Sequence, residues 1–237
     1  PKTNGTLPYT IDVQLPRMAT AVMIHPPKFG ATVKSFDAAK AKALKGVVDV
    51  VQISRGIAVV AENMWIATKA RDLVTAEWDE SKAEQRGSEE ILAAYQDAAK
   101  QAPANMARND GDVAAGFASA AKVLEATYTF PYLAHAALEP LNAAAMMKDG
   151  MVEVWGGHQM PDLYQYIASQ IAGVTPDKVK LHVMPSGGGF GRRAVFDADV
   201  VAESVEVAKA IGWSRPVKVQ WARDNDMRGG RYRPAYV

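Results

Sequence analysis

The sequence predicts a mixed α/β fold, and three observations carry that expectation. Apolar runs of strand length, such as Val47 to Ile53 and Gly56 to Ala61, alternate with amphipathic helical segments. Turn and cap residues punctuate them: Asn63 precedes one helical run, Gly173 and Gly212 follow two others, and Lys148-Asp149-Gly150 separates two strands. The 237 residues are 49% apolar and 22% charged, a globular balance far from that of disordered chains.

The elements follow in order. Thr10 to Ile24 alternates on either side of Pro16 and reads as two short strands. Asp37 opens a helix through an Ala/Lys run that ends at Gly46, and the strands Val47 to Ile53 and Gly56 to Ala61 come next. Asn63 caps a helix with Ile66, Ala70, Leu73 and Val74 on one face, closed by Trp78 and Asp79. Glu80 to Asn109 reads as a charged connector, helical from Ser88 to Gln101 and broken at Pro103 and Asn109-Asp110-Gly111. Lys122 to Tyr132 reads as a strand and Asn142 to Trp155 as a hairpin. Asp162 caps a helix bearing Leu163, Tyr166, Ile167 and Ile171. Val179 to Met184 is a strand that runs straight into Ser186-Gly187-Gly188-Gly189-Phe190-Gly191. A helix from Asp197 to Ile211 presents Val200, Val201, Ser204, Ala208 and Ile211 inward, and Val217 to Trp221 is the last strand.

Composition removes several functions. With no cysteine, the chain holds no disulfide, no Cys-ligated zinc, no iron–sulfur cluster and no thiol nucleophile. A net charge of +1 argues against a dedicated nucleic-acid binder. No apolar run approaches the ~20 residues of a membrane helix. Pro1 to Pro16 lacks the regions of a secretory signal, and both ends read as interior chain, so a piece of a larger polypeptide is expected.

The strand–glycine loop–helix from Val179 to Ile211 is the most informative feature. Consecutive glycines remove every Cβ, so backbone N–H groups can converge on a ligand. The spacing is not G-x-G-x-x-G, because Arg192 takes the third glycine's place, and no Gly-Lys-Ser/Thr occurs. Arg192 and Arg193 suit a phosphate or another anionic group; the same loop also reads as a plain strand-to-helix turn. In His158-Gln159-Met160-Pro161, Gln159 either offers an amide donor beyond a strand end or satisfies the following helix start. The four histidines show no metal spacing, His135 and Glu139 read as a structural pair, and Asp224-Asn225-Asp226 reads as a turn.

Taken in order, several segments resemble the molybdenum-binding large subunit of the xanthine dehydrogenase and aldehyde oxidase family, nearest its isoquinoline 1-oxidoreductase branch. Tyr9 to Pro16 looks like the opening of that family's hammerhead domain, and Ala58 to Asp72 like its characteristic strand and helix. His135 to Asn142, Gly157 to Pro161 and Gly187 to Arg193 resemble the motifs around the molybdenum cofactor, and Asp224 to Arg228 with Tyr232 to Pro234 the branch's continuation. The resemblance implies a hammerhead-like α/β domain at 1–82, a connector at 83–112, and the first part of a molybdenum-cofactor-binding α+β domain at 113–237.

It further implies hydroxylation of an aldehyde or an N-heteroaromatic carbon, with water as oxygen source. By that likeness Gln159 donates a hydrogen bond to the metal centre, and Gly188, Gly189, Phe190, Gly191 and Arg192 contact a molybdopterin-type cofactor, in its cytosine dinucleotide form. Gln159 and Phe190 are the catalytic candidates. The implied partners are a small [2Fe-2S] subunit, the remainder of the large subunit, a cytochrome c acceptor and a small-molecule substrate, in the bacterial periplasm. The family's catalytic glutamate has no counterpart here, so the chain alone is expected to be inactive. A non-catalytic module whose loop holds a phosphate-bearing small molecule is the alternative, and a Rossmann enzyme ranks third.

Overall fold

A computed structural model describes residues 1–237. Its first elements are β1 (Ala19–Ile24), β2 (Thr32–Asp37), α1 (Ala39–Lys42), β3 (Val47–Ile53), β4 (Gly56–Ala61), α2 (Met64–Arg71) and β5 (Thr75–Asp79). Helices α3 (Ser88–Ala99) and α4 (Val113–Ser119) follow. The remainder runs β6 (Asn142–Lys148), β7 (Met151–Gly156), α5 (Pro161–Ala172), β8 (Val179–Val183), α6 (Asp199–Ala210), β9 (Val217–Gln220) and α7 (Arg223–Arg228). The chain divides into two compact units, one of Pro1–Glu84 with Ala134–Arg231, the other of Gln85–Leu133 with Tyr232–Val237.

Within the first unit, seven strands form one sheet in the order β3-β4-β1-β9-β6-β7-β8. The β1–β9 and β7–β8 pairs are parallel and the others antiparallel. Side chains alternate across it, so Ala21 and Val60 enter one core while their neighbours Val22 and Val59 enter another. Helices α5 and α6 close the first core, and α1, α2 and the separate β2–β5 ribbon close the second. Because both faces are covered, β4 is buried at every position, which is why its sequence reads as an unbroken apolar run.

The second unit is built differently. None of its side chains is buried, and neither α3 nor α4 has a buried face. Its only strand-like pairings are two isolated antiparallel bridges, Phe130 with Tyr236 and Leu133 with Arg233.

Several expected elements changed identity. Thr10–Asp12 is a turn of 3-10 helix rather than a strand, because the Asp12 carboxylate accepts the Tyr9 N–H at 2.9 Å and curls the segment. The helix expected from Asp37 shrinks to α1, since Asp37 ends β2 and caps Ala39 N–H at 2.9 Å. Trp78 and Asp79 belong to β5, pairing with Val33 and Thr32, not to a helix end. In β2 a bulge between Val33 and Ser35 breaks the period of two, and β5 keeps that period over only five residues. Lys122 to Tyr132 forms no regular strand and no pairing beyond the isolated bridge at Phe130. Asp224 to Asp226 lies in α7 and not in a turn.

Asn63 does cap α2, its Oδ1 accepting the Ile66 N–H at 3.0 Å. Asn63→Ala therefore lowers the unfolding free energy by about 1 kcal/mol in urea titration. A loss below a few tenths would mean that water replaces the cap.

Candidate functional site

Strand β8 delivers the chain to the glycine segment, and β7 delivers it to Gln159 one strand away. The two are pressed together at Gly157, where an added Cβ would lie 2.6 Å from Ser186 Cβ. Gln159 then locks onto the far end of the glycine loop. Its backbone N–H donates to Arg193 O at 3.0 Å, and its side-chain Oε1 accepts the Arg193 N–H at 3.1 Å. That contact fixes the amide orientation: the oxygen is spent, and the exposed Nε2 is left as a free donor. Gly189 sits against the same amide, where a Cβ would lie 2.9 Å from Oε1.

Phe190 takes φ 54°, a left-handed conformation uncommon for a bulky residue, and its ring is 73% exposed. Gly188 and Gly191 also have positive φ, at 103° and 90°. The backbone N–H groups of Gly188, Gly189, Phe190 and Gly191 donate no hydrogen bond within the protein, and none of the four residues is buried. Four consecutive donors without partners suit an electron-rich ligand. A Cβ on Gly191 would meet no protein atom, so it would project into open space beside those donors. The loop thus fits the cofactor that the sequence resemblance implies.

Beneath the loop lies a buried ion pair. Glu139 Oε2 accepts the Gly187 N–H at 2.7 Å and faces Arg193 Nη2 at 3.2 Å. Its Oε1 accepts the Ile11 N–H at 3.2 Å and the Asn142 amide at 3.0 Å. Arg193 Nε donates to Gly188 O at 2.8 Å, so one guanidinium ties the loop's start to its end. Burial lowers the Arg193 pKa, opposed by the Glu139 charge. Tyr164 of α5 supports the exit: its hydroxyl donates to Arg193 O at 2.8 Å and accepts the Val195 N–H at 3.2 Å. Burial pushes that phenol up to about 12, keeping it a donor at any ordinary pH.

Arg192 lies elsewhere than the sequence pattern suggested. Its guanidinium is buried, pairs with Asp199 at 2.6 Å and stacks 5.5 Å from the Trp221 ring centroid. With Arg193 held by Glu139, both arginine side chains are turned into the protein rather than toward a phosphate. The structure brings Gln159, Gly188, Gly189, Phe190 and Gly191 to one surface, with Arg192 entering the core behind them. Three contributors escaped sequence reading: Tyr164, Glu139 as a loop tether, and Arg223 of α7. Arg223 donates to Ala137 O and Leu138 O, each at 2.9 Å, and so fixes the segment that presents Glu139. No spacing signal relates these residues, because 54 positions separate Glu139 from Arg193.

A domain model described as the molybdopterin cofactor-binding domain matches residues 98–237, more than half of the chain. The membrane-bound aldehyde dehydrogenase [pyrroloquinoline-quinone] of Gluconacetobacter polyoxogenes is 33% identical over all of this chain and 31% of its own length. The isoquinoline 1-oxidoreductase subunit beta of Brevundimonas diminuta is 30% identical over 99% of this chain and 31% of its length. The chain thus spans about a third of these relatives. Among solved structures, quinoline 2-oxidoreductase from Pseudomonas putida 86 superposes with a TM-score of 0.71 at 21% identity, covering 95% of this chain and 34% of that one. Aldehyde oxidoreductase from Desulfovibrio gigas gives 0.71 at 20% identity, over 99% and 30%. The chain belongs to the molybdenum hydroxylase family of xanthine dehydrogenases and aldehyde oxidases. Several relatives match it comparably, so no isoquinoline branch is singled out.

Two outcomes follow from the geometry. Glu139→Ala leaves the Arg193 cation buried without its counter-charge and costs about 3–5 kcal/mol in urea unfolding; a cost under 1 kcal/mol would show that water reaches the guanidinium. The second concerns His158, whose imidazole burial and the Arg193 charge push down to about 4 from 6.5. Between those values the unfolded chain binds a proton that the folded chain refuses. Stability is therefore full above pH 6.5 and falls by roughly 2–3 kcal/mol as pH drops toward 4. His158→Phe removes that part of the slope; parallel pH profiles for the two proteins would contradict it.

Proposed function

We propose that this chain is part of a molybdenum hydroxylase that oxidises an aldehyde or an N-heteroaromatic carbon, water supplying the oxygen. The observation that carries the reading is the free Gln159 amide beside the four unspent N–H groups of Gly188 to Gly191. When bound, a molybdopterin-type cofactor, here in its cytosine dinucleotide form, supplies the two-electron redox centre. Carbon then gains a hydroxyl derived from water, and two electrons and two protons leave. The protein's part is to bind and orient. Gln159 directs its Nε2–H toward the centre, with Oε1 fixed by Arg193 N–H so that the amide does not flip. The loop N–H groups of Gly188, Gly189, Phe190 and Gly191 would hold the cofactor, the absence of a Cβ at the three glycines letting the backbone come close. Phe190 offers an exposed ring that excludes water from one side of the site. Arg192 acts from behind, anchoring the loop to α6 through Asp199.

In this reading residues 1–82 are the hammerhead-like part, 83–112 a connector, and 113–237 the start of the cofactor domain. Electrons pass to a separate small [2Fe-2S] subunit and on to a cytochrome c, and the site is completed by the rest of the large subunit in the periplasm. The identities of the relatives, bacterial aldehyde and N-heterocycle oxidoreductases among them, support this reading. A module that holds a phosphate-bearing molecule would have to bind it through the loop N–H groups alone, since both arginines after the loop are engaged inside the protein.

In the complete enzyme Gln159→Ala lowers kcat about 10–1000-fold with molybdenum content unchanged, the range for losing one preorganised donor. Steady-state kinetics alongside metal analysis decide it, and an unchanged kcat at full occupancy removes Gln159 from this role.

A further inference from the structure

The second unit contains a segment with the sequence pattern of a strand that joins no sheet. Along residues 122–130 the side chains alternate: Leu124, Ala126, Tyr128 and Phe130 share one face, and Glu125, Thr127 and Thr129 the other. This is the pattern of a half-buried strand, yet Leu124 and Tyr128 are 81% and 71% exposed and residues 122–129 join no ladder. At Phe130 there is an isolated bridge. Its N–H donates to Tyr236 O at 2.9 Å and its carbonyl accepts the Tyr236 N–H at 3.0 Å, a hydrogen-bonded antiparallel pair. Leu133 and Arg233 form a second isolated antiparallel bridge three residues away, Arg233 N–H donating to Leu133 O at 2.9 Å, so the register is read from the Phe130–Tyr236 pair.

That register determines what comes next. In an antiparallel ladder each step back along one strand is a step forward along the other. Tyr128 therefore faces the first residue after Val237, Ala126 the third and Leu124 the fifth. We propose that the polypeptide continuing beyond Val237 is the missing strand, pairing antiparallel with residues 122–129 in this register. The inference rests on the reading that the chain is part of a longer subunit, as its relatives of about three times the length suggest. Covalent continuity favours this occupant over another protein. The Arg233–Tyr236 segment already runs antiparallel to residues 130–133, so the next residues reach their partners with little further loss of chain entropy. A docking strand from elsewhere would carry the whole cost of association. Pairing would satisfy the backbone groups along the segment and set the new strand's side chains beside Leu124, Ala126 and Tyr128 on the same face.

The test uses the natural full-length polypeptide. Thr127 and the second residue after Val237 form a non-hydrogen-bonded pair, with Cα atoms about 4.5 Å apart, a separation a disulfide spans. Thr127→Cys combined with cysteine at that second position is expected to cross-link under mild oxidation, read by peptide mass. Cysteine at the fourth position with Thr127→Cys is expected not to. A cross-link in the wrong register, or in neither, overturns the proposal. Amide exchange provides an independent readout without substitution. Leu124, Ala126 and Tyr128 should exchange on the order of 100-fold more slowly in the full-length protein than in the 237-residue chain. Equal rates overturn it. Protection that appears in the 237-residue chain on raising its concentration overturns it in favour of a second copy. Molybdenum content is measured on the same sample: a correct cross-link without molybdenum refutes the hydroxylase reading and leaves the pairing intact, and molybdenum without a cross-link does the reverse.

Discussion

The Glu139 carboxylate is the point on which the site depends. It reaches four groups from four parts of the sequence: Ile11 N–H, Asn142, Gly187 N–H and Arg193. Buried carboxylates are costly unless every lone pair is used, and here both oxygens are. The same contacts explain how a run of three glycines holds a shape at all. Glycine gives up more backbone entropy on ordering than any other residue, so a loop like this needs strong tethers at both ends. Gly187 N–H is held by Glu139, Gly188 O by Arg193, and Arg193 itself by Glu139, Gln159 and Tyr164. Only the middle, Gly188 to Gly191, keeps its donors for something else.

A second buried carboxylate works at the same end of the sheet, where the C-terminal ends of β1, β9, β7 and β8 lie together. Glu203 of α6 accepts the Trp221 indole N–H at 2.6 Å and pairs with His25 at 2.7 Å, joining the end of β1 to the end of β9. Asn225 adds its amide to His25 and to Met23 O. Helix α6 therefore carries two acids inward, Asp199 toward Arg192 and Glu203 toward Trp221, among buried residues that are otherwise apolar except for Ser204. The glycine loop is braced from Glu139 on one side and from α6 on the other.

The sheet itself was largely legible. β3, β4 and the β6–β7 hairpin fall where apolar runs and the Asp149-Gly150 turn place them, β4 through burial on both faces and β7 through its alternating burial. Gly173 and Gly212, with φ of 77° and 67°, end α5 and α6 as glycines in the left-handed region do. The ribbon strands β2 and β5 were not legible: the bulge breaks the alternation of β2, and β5 alternates over only five residues. For Lys122 to Tyr132 the pattern and the fold diverge because a strand is a property of two segments, and only one is present along most of its length.

At the site the division is equally physical. The sequence by itself determined which residues lack side chains, where Gln159 stands relative to a strand end, and that no thiol or histidine cluster competes for the chemistry. Those are properties of residue type and short-range order. Tertiary structure alone decided that Arg192 and Arg193 face inward, that Glu139 is their loop's tether, and that the Gln159 amide points its nitrogen outward. Each depends on partners dozens of positions away, and the balance between solvating a charge in water and pairing it inside is set only once the sheet has brought those partners together.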